Sequence, residues 1–124
     1  MSNSNRHVVV LGASPKENRY SNKAVKLLIK NGFSVTPIHP NFSEIEGLRV
    51  LKDLNQIENS IDTLTLYINE KKIEKEVNQI ISSKPKRVIF NPGTESDVLK
   101  KALDSNGIEW IEACTLVMLT TKSF

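Results

Sequence analysis

A short apolar run near the start of the chain constrains the fold more than any other feature. It covers residues 8–11, and the small residues of a Gly-Ala-Ser segment follow at positions 12–14. An uninterrupted run rich in β-branched residues predicts a strand that is buried on both faces. The polar loop that comes next leads to Ser21, which we expect to cap an amphipathic helix over residues 22–31. Because the unpaired N–H groups of a helix start favour phosphate, this turn is the predicted phosphate-binding site.

Strand and helix patterns alternate along the rest of the chain. The predicted strands are residues 7–11, 33–38, 61–68, 87–90 and 108–111. The predicted helices are residues 22–31, 70–83 and 95–106, with a short extended piece at 47–50 and one helical turn at 51–57. This alternation predicts an α/β, Rossmann-like three-layer αβα sandwich with a mostly parallel sheet of about five strands. Pro37 lacks the N–H group that a central strand needs, so the second strand is expected at an edge.

Composition excludes several classes of protein. The length of 124 residues suits one domain, expected over residues 1–124. A net charge of +3 with 6% aromatic residues does not predict a nucleic-acid-binding surface. The sequence has no apolar stretch that would span a membrane and no apolar signal core at its N-terminus, so we expect a cytoplasmic protein. No Cys/His cluster predicts a metal site, and Cys114 is expected to be a buried apolar thiol.

Ligands bind an open parallel sheet beyond the carboxyl ends of its strands, and four polar loops fall there. These loops are residues 12–21, residues 39–41, the neighbourhood of Asn69, and residues 91–95. In the first loop, Lys16 and Arg19 are either phosphate ligands or solvated charges, and Arg19 is the better suited to paired contacts. In the last loop, Thr94 is expected to cap the following helix, and Gly93 would let the backbone approach a ligand.

The first loop departs from the dinucleotide-binding fingerprint. Gly12 is present, but Ser14 and Glu17 stand where the second and third glycines would be. The acidic residue that would hold a ribose is also missing after the second strand, where His39-Pro40-Asn41 stands instead. The site is therefore expected to suit phosphate and to disfavour NAD. His39 either contacts a phosphate or a base edge or is structural, and it is not expected to be a general base.

Several motifs in a fixed order resemble the small CoA-binding domain family. In that family a GAS segment, an N-R-x-S segment and a strand ending in P-[IV]-[HN]-P recur in this order, as they do in residues 11–41. Residues 47–54 (GLRVLKDL) match the family's G-x-x-V-x-x-x-L segment, and NPGTES, GIE and EACTLVML resemble one of its branches. The resemblance implies a Rossmann-like fold that binds coenzyme A. It also implies similarity to the N-terminal domain of succinyl-CoA synthetase alpha chains and of ADP-forming acyl-CoA synthetases.

The resemblance also implies which residues contact the cofactor. They are Gly12, Ala13, Ser14, Asn18, Arg19, Ser21, His39, Pro40, Asn41, Tyr67, Ile68, Asn69, Asn91, Pro92 and Gly93. If Tyr67 does not contact the cofactor, it is an ordinary core residue. We expect Gly12→Val to abolish binding and to leave the fold largely intact, because the glycine would serve the approach of the phosphates.

Three functions remain open at this stage. The first is a small-molecule-binding module for CoA or acyl-CoA with no catalytic residue of its own. The second is an NAD(P)-binding redox sensor, and the third is a non-catalytic subunit of a CoA ligase. The catalytic histidine of the synthetases belongs to a second domain with no counterpart here, so their chemistry is not expected. The apolar residues 114–119 either pack in the core or contact a partner enzyme or a second copy of the chain.

Overall fold

Strands and helices alternate as the sequence predicts. The computed structural model describes residues 3–124; residues 1–2 of the predicted domain lie outside this range. The strands are β1 (His7–Leu11), β2 (Ser34–Ile38), β3 (Glu44–Ile45), β4 (Leu48–Arg49), β5 (Thr63–Leu66), β6 (Arg87–Phe90) and β7 (Glu109–Glu112). The helices are α1 (Tyr20–Lys30), α2 (Glu70–Ser82), α3 (Asp97–Ser105) and α4 (Thr115–Thr120), and a 3₁₀ turn covers Leu54–Gln56.

The larger sheet has five parallel strands in the order β2-β1-β5-β6-β7. Successive side chains of a strand point to opposite faces, and β1 shows both faces buried. Val8 and Val10 pack with α1 and α4 on one face, whereas Val9 and Leu11 pack with α2 and α3 on the other. The predicted α/β, Rossmann-like three-layer architecture is therefore confirmed.

The two edges of the sheet are formed by β2 and β7. Pro37 lies in β2, as expected for a residue that cannot donate a ladder hydrogen bond. Its carbonyl oxygen still accepts from the N–H of Leu51, at 3.1 Å, so the segment after β4 runs along this edge. β3 and β4 form a two-residue antiparallel pair around a turn at Glu46 and Gly47, both with positive φ.

Both predicted helix caps are wrong. Helix α1 begins at Tyr20, one residue before Ser21, and Ser21 is buried. Helix α3 begins at Asp97, and its cap is Ser96, whose side chain accepts from the N–H of Leu99 at 3.2 Å. The Thr94 hydroxyl instead donates to the carbonyl oxygen of Asn91 at 2.7 Å, so it closes the turn before the helix.

At the end of the chain the structure shows core packing, one of the alternatives left open for residues 114–119, and corrects the expectation for Cys114. The apolar segment 114–119 falls largely within α4, which packs against α1 through Leu119 and leaves Val117 exposed. Cys114 precedes this helix and is half-buried rather than fully buried. No helix within residues 3–124 is both long enough and apolar enough to cross a membrane.

Candidate functional site

A cleft of about 690 Å³ lies at the carboxyl ends of β1, β2 and β5. Its volume is within the range of roughly 300–1,000 Å³ that is typical of small-molecule sites. Most of the residues predicted from the sequence line it: Gly12, Ala13, Ser14, Arg19, Ser21, His39, Pro40, Asn41, Tyr67, Ile68 and Asn69. The convergence of strand ends in a parallel sheet explains why residues far apart in sequence meet here.

The remaining predicted residues do not line the cleft. Asn18, Pro92 and Gly93 are exposed outside it. Asn91 is buried, and its amide group donates to the Thr65 hydroxyl at 2.7 Å and to the Leu66 carbonyl at 2.9 Å. Its side-chain oxygen accepts from the N–H of Thr115 at 2.9 Å. Asn91 therefore joins β5 and β6 to the start of α4 inside the protein.

Gly12 is required by the protein's own packing. Its φ is +91°, and a Cβ atom there would lie 2.7 Å from Ile68 Cγ2 and 2.9 Å from the Tyr67 carbonyl oxygen. The expectation that a valine at this position leaves the fold intact is therefore wrong. The N–H groups of Gly12 and Ala13 both donate to the carbonyl oxygen of Ile38, at 3.0 and 3.2 Å. These two donors thus hold the end of β1 against β2.

Asn22 fixes the shape of the loop that follows β1. This residue is fully buried, and its amide donates to the Ser14 carbonyl at 2.9 Å and to the Glu46 carboxylate at 3.1 Å. The Ser14 hydroxyl accepts from the N–H of Lys16 at 3.1 Å. These bonds link the loop both to α1 and to the β3–β4 turn. Asn22 was not predicted from the sequence as a residue of the site, because its role depends on the distant Glu46.

Helix α1 begins at the cleft. Arg19, Tyr20 and Ser21 line the cleft, and α1 has no side-chain cap. Helices α2 and α3 do have such caps, from Asn69 and Ser96. The first N–H groups of a helix have no partner within the helix, and they carry partial positive charge. This arrangement suits an anion.

Cations outnumber carboxylates along the cleft. The cations are Lys16, Arg19, Lys52, Lys72 and Lys75, and the carboxylates are Asp53 and Glu76. None of these cations takes part in an ion pair with any residue in the described part of the chain. Lys52, Lys72 and Lys75 were not predicted from the sequence as residues of the site. A three-residue spacing of lysines predicts a shared helix face, but it does not predict that the face borders a cleft.

The His39 imidazole lies just after β2 and has one ring nitrogen already bonded within the protein. Burial lowers the pKa of its imidazole below 6.5, and the positive charge of Lys72 lowers this pKa further. Nδ1 accepts from the N–H of Asn41 at 3.0 Å, so the proton of the neutral ring resides on Nε2. The ring also contacts that of Phe42, with 4.4 Å between their centroids.

Tyr67 contributes a largely buried phenol to the wall of the cleft. Burial raises the pKa of Tyr67 to about 12, although the nearby hydroxyls of Thr115 and Thr65 act in the opposite direction. Neither of these hydroxyls makes a hydrogen bond of good geometry with the phenol oxygen. With a pKa of about 12, the phenol is protonated and neutral at neutral pH. Within residues 3–124 no group of His, Cys, Asp and Glu side chains is arranged to hold a metal ion.

Comparison with known proteins gives one family match and many structural matches. The family model described as "CoA binding domain" matches residues 6–120. A search of curated proteins gave no match. The crystal structure of an uncharacterized protein is 43% identical to this chain, has a TM-score of 0.90, and is matched over 96% of this chain and 98% of its own.

More distant structures share the fold. A hypothetical protein from Pyrococcus horikoshii OT3 is 26% identical over 92% of this chain and 81% of its own, with a TM-score of 0.87. The dinucleotide forming acetyl-coenzyme A synthetase 1 of Ca. Korarchaeum cryptofilum, in complex with phosphate and ADP, is 16% identical with a TM-score of 0.74. That match covers 88% of this chain but 26% of the synthetase, so it shows similarity of fold alone.

Proposed function

Because this chain belongs to the CoA-binding domain family, we propose that its cleft binds coenzyme A or an acyl-CoA. The observation that carries the proposal is the uncapped start of α1 beside unpaired cations at the carboxyl ends of the strands. An anionic nucleotide is the ligand chemistry that such an arrangement favours. The role that we propose is that of a one-domain binding module.

The diphosphate of the ligand would lie at the start of α1. Arg19 is exposed there and can donate two parallel hydrogen bonds to phosphate oxygens. The Ser14 backbone is held in place by Asn22, so the loop needs little reordering when a ligand binds. The apolar surfaces of Ile68 and Phe42 offer contacts for an adenine ring or for the pantetheine chain.

The proposal of binding without catalysis draws on two groups of the cleft, His39 and Tyr67. The Nδ1 atom of His39 is already occupied by the N–H of Asn41, and the pKa of the imidazole is lowered by burial. The phenol of Tyr67, with a pKa of about 12, stays protonated at neutral pH. General acid–base catalysis works best with groups that titrate near the working pH. We therefore propose no catalytic residue.

Titration calorimetry with CoA, acetyl-CoA, NAD⁺ and ADP in parallel tests this proposal. We expect the CoA species to bind more tightly than NAD⁺. Tighter binding of NAD⁺ would contradict the proposal and favour an NAD(P)-binding sensor. Co-purification of a separate nucleotide-dependent ligase would favour the ligase-subunit alternative.

Arg19→Ala tests the position of the phosphates. Loss of a hydrogen bond to a charged group weakens binding by about 1.5–3 kcal/mol, so the CoA affinity should fall by that amount. Arg49→Ala is the matched control, because Arg49 is also an exposed arginine but does not line the cleft. An unchanged affinity in Arg19→Ala would remove this side chain from the phosphate site.

A further inference from the structure

The cations of the cleft come from opposite faces of the sheet. Lys16 and Arg19 belong to the loop that enters α1, and α1 packs on the face that carries Val8 and Val10. Lys72 and Lys75 belong to α2, which packs on the other face through Ile73. Lys52 precedes the 3₁₀ turn whose Leu54 packs on that same second face. The cleft is thus bordered by two separate groups of positive charge.

We refer to Lys52, Lys72 and Lys75 as the lysine wall. Lys72 and Lys75 are three residues apart, so they are neighbours on one face of α2, and both line the cleft. The adjacent Lys71 is exposed and does not line it. Like charges at this spacing repel each other, although Glu76, one turn after Lys72, also lines the cleft and offsets part of that repulsion.

The charge of Lys72 reaches into the cleft. Burial lowers the pKa of the His39 imidazole, which follows β2, and the positive charge of Lys72 lowers this pKa further. The N–H of Lys72 is occupied by the Asn69 side chain, at 3.0 Å, so the start of α2 is already capped. An anion at this wall would therefore be held by lysine side chains and not by the helix start.

Lys52 is held in position by its backbone while its side chain has no ion-pair partner. Its N–H donates to the side-chain oxygen of Gln56 at 2.7 Å. The neighbouring carboxylate of Asp53 accepts from the N–H of Asn55 at 2.9 Å, so it caps the 3₁₀ turn. No carboxylate in residues 3–124 forms an ion pair with any member of the lysine wall.

We infer that the lysine wall binds a second phosphate group of the ligand, namely a phosphate monoester on the ribose. The inference rests on the proposed function, in which the diphosphate lies at the start of α1. Coenzyme A carries both groups, a 5′-diphosphate and a 3′-phosphate on the same ribose. A phosphate monoester brings a charge of about −1.5 to −2 at neutral pH, which matches a cluster of ammonium groups. The cleft therefore selects CoA over dephospho-CoA, which lacks only the 3′-phosphate.

Titration calorimetry with CoA and dephospho-CoA tests the inference on the wild-type protein and on three variants. The variants are Lys72→Gln and Lys75→Gln in the lysine wall and Lys71→Gln as the matched control on the same helix. We expect wild-type protein to bind CoA at least about tenfold more tightly, the effect of one hydrogen bond to a charged group. Lys72→Gln and Lys75→Gln should reduce this ratio by weakening CoA and not dephospho-CoA, and Lys71→Gln should leave it unchanged.

The experiment distinguishes failure of the inference from failure of the proposed function. Equal affinities of wild-type protein for CoA and dephospho-CoA would overturn the inference and leave the proposed function standing. The ratio of the CoA and dephospho-CoA affinities could stay unchanged in both lysine-wall variants, or both affinities could fall equally. Either result would overturn the assignment of the 3′-phosphate site to these lysines. Binding of neither compound would overturn the proposed function and the inference together. All three lysines are exposed, so circular dichroism should show an unchanged fold for every variant.

Discussion

Gly12→Ala tests whether the residue after β1 must be glycine because of the adjacent Tyr67–Ile68 segment rather than because of a ligand. The new Cβ would lie 2.7 Å from Ile68 Cγ2 and 2.9 Å from the Tyr67 carbonyl oxygen. The isoleucine side chain can rotate away, but the carbonyl group is backbone. The N–H of Tyr67 also donates to the Leu11 carbonyl at 2.9 Å, so this backbone cannot retreat without loss of a hydrogen bond between β1 and β5.

Two costs add up in this variant. A φ of +91° is in a region where a residue with a Cβ atom loses roughly 1–2 kcal/mol. Overpacking of a tight site costs typically about 1–3 kcal/mol. Gly12→Ala should therefore lower the free energy of unfolding by about 2–5 kcal/mol, a large fraction of the roughly 5–15 kcal/mol that stabilise most domains.

Gly93→Ala separates the two costs. Gly93 has nearly the same φ, +90°, but a Cβ atom there would meet nothing within 4 Å. Urea unfolding of both variants without ligand gives the comparison, since a bound ligand would mask the loss. We expect Gly12→Ala to be less stable than Gly93→Ala by about 1–3 kcal/mol, the steric share alone. Equal losses in the two variants would refute the argument that the Tyr67–Ile68 backbone occupies the space beside Gly12.

Two further predictions concern stability and pH. Asn91→Ala should destabilise the protein by about 2–4 kcal/mol in urea unfolding, because buried groups around it lose their partners, whereas the exposed Asn18→Ala should change little. A result of less than 1 kcal/mol, on the order of one weak hydrogen bond, would contradict this role. Because burial and Lys72 lower the pKa of His39 in the folded state, the unfolded chain takes up this proton first, and stability should fall as the pH decreases below 6.5. His39→Gln should reduce that fall in unfolding experiments at a series of pH values, and an unchanged pH profile would count against it.

The parts of the fold that depend on local pattern could be predicted from the sequence. Alternating strand and helix patterns gave the α/β architecture, and the missing N–H of Pro37 gave the edge position of β2. The caps at Ser21 and Thr94 were wrong because both residue types also serve in turns and buried positions. The β3–β4 turn was missed because strands of two residues have no periodicity to detect.

Some residues of the candidate site could be predicted from the sequence, and others could not. Residues that directly follow a strand, such as Ser14 and His39, could be placed from the sequence because parallel strands end at one side of the sheet. Asn91 also follows a strand, but its bonds to residues 65 and 115 turn it inward, and no local pattern indicates them. In the sequence, Lys72 and Lys75 fall on the polar side of a helical pattern, and that pattern alone indicates only exposure to solvent. Only the packing of α2 on the sheet brings that face to the cleft.

The position of β7 at the sheet edge bears on how the protein behaves at high concentration. β7 pairs with β6 on one side, and its sequence is Glu-Trp-Ile-Glu. An antiparallel pairing of two β7 strands in full register would place Glu109 of one copy opposite Glu112 of the other. Like charges directly opposite each other destabilise such a pair, although the ion pair of Glu112 with Lys100 in its own chain offsets part of this repulsion. Charged edge residues are a common defence against aggregation. This edge therefore resists the growth of a continuous sheet between molecules.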